Sequence, residues 1–270
     1  RLAVGGTLTV GESGTGAVTV SEGADAASLD AVIGVAAGSS ATVQLSGLGT
    51  HLAVTRHLDI GTGSLIVDTA AALSTGSATI GTLAGETATA TLSGSGTTWD
   101  TTGTLAVGDT GDGRLNVLTG ADVSAQNLVA GDTASGTGEI RADGNGSSLS
   151  VAQTFDIGRL GQATLDVVAG AKASAGFVRA GTEQSGSGAV HVDGDGSRLD
   201  VSGDFDIGRF GNGTLTVSGG AAVAAGDRAV VGPGLGGEDL EPHQARPRDG
   251  APTSARAGPR SSMRCAAADR

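Results

Sequence analysis

Apolar residues along positions 1–232 recur in pairs two residues apart, and the most regular pair stands directly before a glycine. "TLTVG" ends at Gly11, "HLDIG" at Gly61, "TLAVG" at Gly108, "TFDIG" at Gly158 and "DFDIG" at Gly208. Weaker copies end at Gly34, Gly81, Gly131, Gly181 and Gly232. Successive markers are spaced 23, 27, 20, 27, 23, 27, 23, 27 and 24 residues apart. The repeat is therefore a doublet of one short and one long half. The single 20 is a three-residue deletion after Gly61.

The residue before each marker is apolar in all ten copies: Val10, Ile33, Ile60, Ile80, Val107, Ala130, Ile157, Ala180, Ile207 and Val231. Three before is also apolar throughout, whereas two before is mixed, with Thr9, Asp59, Ala106, Asp156, Arg179 and Asp206 among its occupants. Such alternation predicts strands with one buried face. Short halves add pairs such as Leu115/Val117 and Leu165/Val167. Long halves add Val43/Leu45 or Val190/Val192, then Leu52/Val54 or Leu199/Val201. Nothing repeats at helical spacing, so the chain is all-β.

A unit of 20–27 residues cannot bury its own apolar face. Stacked on its neighbour, each strand pairs with its equivalent one turn away, and the inward residues form continuous ladders. The predicted fold is a parallel β-helix, a solenoid of about ten rungs. At ~4.8 Å per rung it would be roughly 50 Å long. Residues 1–232 contain no proline, as expected where every strand donates ladder hydrogen bonds and Pro would delete one.

Composition sharpens this picture. The chain has 49 Gly, one Trp, four Phe and no Tyr among 270 residues, which suits a narrow aliphatic interior. Its formal net charge of -12 repels phosphate backbones and argues against a nucleic-acid partner. No run of 18 apolar residues is present, so no transmembrane helix is expected in this chain. Arg1 opens directly into "RLAVGGTLTV", so no signal peptide is expected, and the chain reads as a cut through a longer protein. Residues 233–270 hold all five prolines, the only Cys (Cys265), the only Met (Met263) and six of the sixteen Lys and Arg. This Pro/Arg/Ala-rich segment has no marker glycine in register and reads as a disordered tail, either the product of a frame change or truncation just after Gly232 or a native linker. Translating the same DNA in its other two frames tests this.

Equivalent positions in successive copies separate candidate chemistry from turn structure. "DGDGSRL" (193–199) offers Asp193 and Asp195 as calcium ligands, or else a tight turn. Its equivalents are "SGLGTHL" (46–52), "SGSGTTW" (93–99) and "DGNGSSL" (143–149). Leu48 stands where Asp195 stands, and leucine cannot coordinate a hard cation. The turn reading is adopted, with Asp193 expected to cap backbone N–H groups. Trp99 shares a column with Leu52, Leu149 and Leu199 and is assigned to the core or its rim. Asp156, Arg179 and Asp206 read as a surface ladder of ion pairs, each contributing ~0–1 kcal/mol. His51, His57 and His191 share no column and read as lone exposed residues; His243 lies in the tail. No catalytic, cofactor-binding or metal residue is nominated.

"GTLAVGDTGDGRLNVLTGADV" (103–123), "GTGEIRADGNGSSLSV" (136–151), "FGNGTLTVSGGAAV" (210–223) and "GSGTTW" (94–99) together resemble a repeat of autotransporter (type V secretion) passengers and PEP-CTERM-associated surface proteins. The resemblance covers about 1–232 and identifies a repeat, not an activity. It implies a right-handed β-helix, secretion to the bacterial cell surface, and outer-membrane association through a missing C-terminal region. A non-enzymatic stalk or adhesin-like role follows, as a monomer, with host or cell-surface glycans or proteins as partners. The absence of Cys from 1–232 suits a chain exported unfolded. The alternative is a carbohydrate-active β-helix protein that cleaves or binds polysaccharide. That activity needs carboxylates, Arg or Lys, and aromatic platforms clustered on one face.

Overall fold

The structure, a computed structural model, describes residues 1–232. The Pro/Arg/Ala-rich segment 233–270 and His243 lie outside the described residues. All secondary structure described is strand, and every strand pairing is parallel. The long strands, from Leu2–Val10 through Asp25–Ile33 and His51–Ile60 to Lys172–Ala180, stack in sequence order into a 12-stranded sheet. The shorter strands, from Thr15–Ser21 through Asp112–Leu118 to Asn212–Ser218, form a 9-stranded sheet facing it. In the first sheet two layers are each split, into Arg198–Val201 with Phe205–Ile207 and Ala222–Ala225 with Ala229–Val231. Twelve strands therefore make ten layers, and the chain winds nine complete turns. At ~4.8 Å per layer the stack is roughly 45 Å long.

The marker positions fall in one column: Val10 pairs with Ile33, Ile33 with Ile60, Ile60 with Ile80, and so on to Ile207 with Val231. Nine of the ten are buried; Val231, on the last described layer, is 37% exposed. The two apolar pairs that the sequence separates by a few polar residues lie on one continuous long strand. Its ladder shifts register midway, as between Val151 and Thr154, and both residues of the break face solvent, as Thr55 and Arg56 do. Such a bulge bends the strand and gives each coil a third side. The three-residue deletion after Gly61 shortens the turn to Gly61–Thr62 and the strand by one residue to Gly63–Asp68, which keeps its register with both neighbours.

The interior is one largely aliphatic column per inward position, and Trp99, Phe155 and Phe205 are enclosed within it. Trp99 also carries a polar atom. Its indole Nε1 donates to Thr75 Oγ1 at 3.1 Å, and Thr75 shares a hydroxyl hydrogen bond with Thr101. An indole N–H inside a core needs such a partner. Ala90, on the preceding strand, interrupts a column otherwise running Leu65, Leu115, Ile140, Leu165.

Eight of the ten marker glycines, all but Gly61 and Gly232, have positive φ, and most are also fixed by close approach. Gly158 has φ +70, and a Cβ there would lie 2.1 Å from the Ser187 carbonyl oxygen. No side chain fits.

Candidate functional site

Each coil turns twice, and the two turns use their side chains differently. In the long half, the second glycine of the "DGDGS" stretch is followed by Thr50, Thr97, Ser147 or Ser197, all buried. Each hydroxyl donates to the carbonyl four residues back, Ser197 to Asp193 at 2.6 Å, and accepts an N–H from the preceding coil, that of Gly170 at 2.9 Å. Thr50, Thr97 and Ser147 repeat the arrangement on Gly23, Ala70 and Gly120. The expected capping role of Asp193 is thereby corrected. Its carboxylate accepts the Ser218 hydroxyl at 2.6 Å, and the backbone cap is Ser197. The signal was in the sequence, since Ser or Thr follows the second glycine in all four copies. Among the described residues, no three His, Cys, Asp or Glu side chains gather as a metal site.

His51 and His57 are half-buried rather than exposed. His51 Nε2 lies 3.0 Å from Ser74 Oγ, and His57 Nδ1 lies 2.8 Å from Ser77 Oγ. Each is held to the next coil. His191 is half-buried in register with Asp166 and Thr216.

The other turn follows the marker glycine. Beside it run the columns two and four residues before the marker and one residue after it, and there charge collects along the stack. Asp30 pairs with Arg56, whose guanidinium holds that carboxyl below the usual carboxylate range. Thr82 donates to Asp59 at 2.8 Å. Asp132 pairs with Arg159. Asp109 is raised above the ordinary carboxylate value, first by burial and then by the charges of Asp132 and Asp59, with Arg159 opposing.

Over the seventh to tenth layers the strip becomes a cavity. Arg179 donates to Asp156 through both Nε (2.6 Å) and Nη2 (2.7 Å), and Thr182 reaches the same carboxylate at 3.4 Å. Asp156 is only 5% exposed, so the expected surface ladder worth ~0–1 kcal/mol is corrected to a bidentate, largely desolvated pair. Removing one partner of such a pair costs several kcal/mol. Asp206 is equally buried, yet Arg179 is not its partner. Arg209 Nη1 approaches Asp206 Oδ2 at 3.6 Å and Arg228 Nη2 approaches Oδ1 at 3.5 Å. Neither is a hydrogen bond at that length. Asp206 Oδ1, Ser28 Oγ and Ser39 Oγ are the buried side-chain atoms without a hydrogen bond among the described residues, and only Asp206 is a carboxylate. A buried acceptor in that condition costs ~1–3 kcal/mol.

Thr154, Phe177, Arg179, Asp204, Asp206 and Arg209 line a cavity of about 230 Å³. Phe177 is 49% exposed, with its ring edge against Gly203, where a Cβ would meet Phe177 Cε1 at 2.6 Å. Arg228 also pairs with Asp204, at 3.5 Å, and the Arg209 guanidinium lies 5.3 Å from the centre of the exposed Phe210 ring. Carboxylates, guanidinium groups and an aromatic ring thus meet on one face, a gathering that the sequence columns did not reveal.

Fold and strip together define a parallel β-solenoid protein with a charged edge. The chain matches no family model, and no curated protein or solved structure is significantly similar to it. Among the described residues no helix is long and apolar enough to cross a membrane.

Proposed function

We propose that the solenoid is a non-enzymatic stalk segment of an autotransporter-type protein displayed on a bacterial cell surface. The observation that carries this reading is the continuous parallel stack, with each strand pairing its equivalent from Leu2–Val10 to Ala229–Val231. Such a column is stiff because each inner coil is held to two neighbours by parallel ladders and a shared apolar core. A spacer needs length and stiffness, and both follow from repetition alone. The cysteine-free 1–232 segment supports export in an unfolded state.

Antibody to 1–232 is expected to label intact cells of the native host; labelling only after permeabilisation overturns the surface location. Incubating the full chain with a polysaccharide panel is expected to release no new reducing or unsaturated ends. Turnover of any polysaccharide overturns the non-enzymatic role.

A further inference from the structure

We propose that the cavity beside Phe177 binds one neutral hexopyranose unit of a polysaccharide, without cleaving it. With Arg179 committed to Asp156, the remaining lining charges are Asp204, Asp206 and Arg209, and Arg228 beside the lining pairs with both carboxylates. They cancel. An anionic ligand would meet two carboxylates and a metal ion would meet two guanidinium groups. A neutral polyol instead finds acceptors for its hydroxyl protons and donors for its hydroxyl oxygens within one cavity.

Two further features point to a sugar ring. Phe177 presents an exposed ring beside the cavity, seated by the close approach of Gly203. The negative face of such a ring suits the slightly positive C–H face of a pyranose. Asp206, a lining residue more than nine-tenths buried, carries an Oδ1 that accepts no hydrogen bond among the described residues. Its nearby cation, Arg228, is 59% exposed at the side chain. A shift of that one side chain lets a ligand hydroxyl supply the missing donor. The volume of about 230 Å³ lies below the ~300–1,000 Å³ of sites for drug-sized ligands, so it accepts one ring rather than a long segment.

The test is titration calorimetry of the full chain with neutral tetrasaccharides of glucose, mannose and galactose, beside tetragalacturonate and calcium chloride alone. Saturable binding of at least one neutral tetrasaccharide is expected. Phe177→Ala should weaken it about tenfold or more, and Asp206→Asn should weaken it with the melting temperature maintained or raised. No binding by any neutral tetrasaccharide overturns the proposal. So does binding unmoved by Phe177→Ala, or preference for tetragalacturonate or calcium. Failure of binding would leave the stalk reading intact, whereas turnover of the bound sugar would overturn that reading and the statement here that the sugar is not cleaved.

Discussion

The two turns of each long half carry opposite side-chain rules. At the "DGDGS" turn the same hydroxyl recurs in every long half and performs the same two-sided hydrogen bond. At the marker-glycine turn the backbone recurs while the following residue runs Asp109, Asp132, Arg159, Thr182, Arg209. A position that holds one hydroxyl in every long half, alternating with Ala71, Ala121 and Ala171 in the short halves, is fixed by stacking. A column that changes from coil to coil is released from that constraint, and there charge, burial and an aromatic ring accumulate. Repetition thus marks the scaffold, and its interruption marks the site.

The sharpest way to break this comparison is to attack the backbone element common to the coils. Gly158→Ala places a Cβ 2.1 Å from the Ser187 carbonyl oxygen at a φ of +70. Backbone strain and overpacking together predict a loss of ~3–5 kcal/mol, read from urea denaturation of the full chain. A loss below ~1 kcal/mol would show that the marker glycines follow the repeat without enforcing it.

The next test lies in the variable column. Arg179→Leu leaves Asp156, 5% exposed, without its bidentate partner. A fully buried pair would lose ~3–5 kcal/mol; because the Arg179 side chain is 38% exposed, ~2 kcal/mol is expected. The double variant Arg179→Leu with Asp156→Leu should recover most of it. If Arg179→Leu is neutral, the pair is an ordinary surface bridge and the interruption marks nothing.

Ser147→Ala addresses the invariant hydroxyl. It removes the donor to the Asp143 carbonyl and the acceptor of the Gly120 N–H. A loss of ~1–2 kcal/mol is expected, with Ser147→Thr close to neutral because Thr50 and Thr97 fill the same role. An equal loss from Ser185→Ala, an exposed hydroxyl on the variable turn, would erase the distinction between the two turns.

How much of this was legible beforehand divides along the same line. Spacing of the marker glycines and the alternation before them predicted the parallel stack, and Ile60, Ile157 and Ile207 do point inward. Trp99 was placed by its column mates. Column reasoning works when a position keeps one role in every coil. It failed at Asp156 and Asp206, because outward direction was equated with exposure. Burial there comes from Arg179 on the next coil and Thr182 on its turn for Asp156, and no single column contains both. The capping hydroxyls are legible in the sequence as the Ser or Thr after the second glycine, four residues beyond the more conspicuous Asp193.

The smallest expected effect lies where the strip is acidic without full compensation. Burial raises the Asp109 carboxyl, and Asp132 and Asp59 add to that. A raised folded-state value means that the native chain holds this proton more tightly than the unfolded chain. The stabilising term is complete below the unfolded value of ~3.9, and it is lost as pH rises through the folded value. At pH 7 the ionised Asp109 therefore opposes folding, so Asp109→Asn should stabilise the chain. The side chain is partly exposed, and solvent screening reduces the gain to ~0.3 kcal/mol. Thermal melts of the two chains should differ at pH 7 and converge as pH approaches ~4. A difference that persists or widens on acidification would mean that the amide gains a hydrogen bond instead, and that the acidic run of the strip costs the stack nothing.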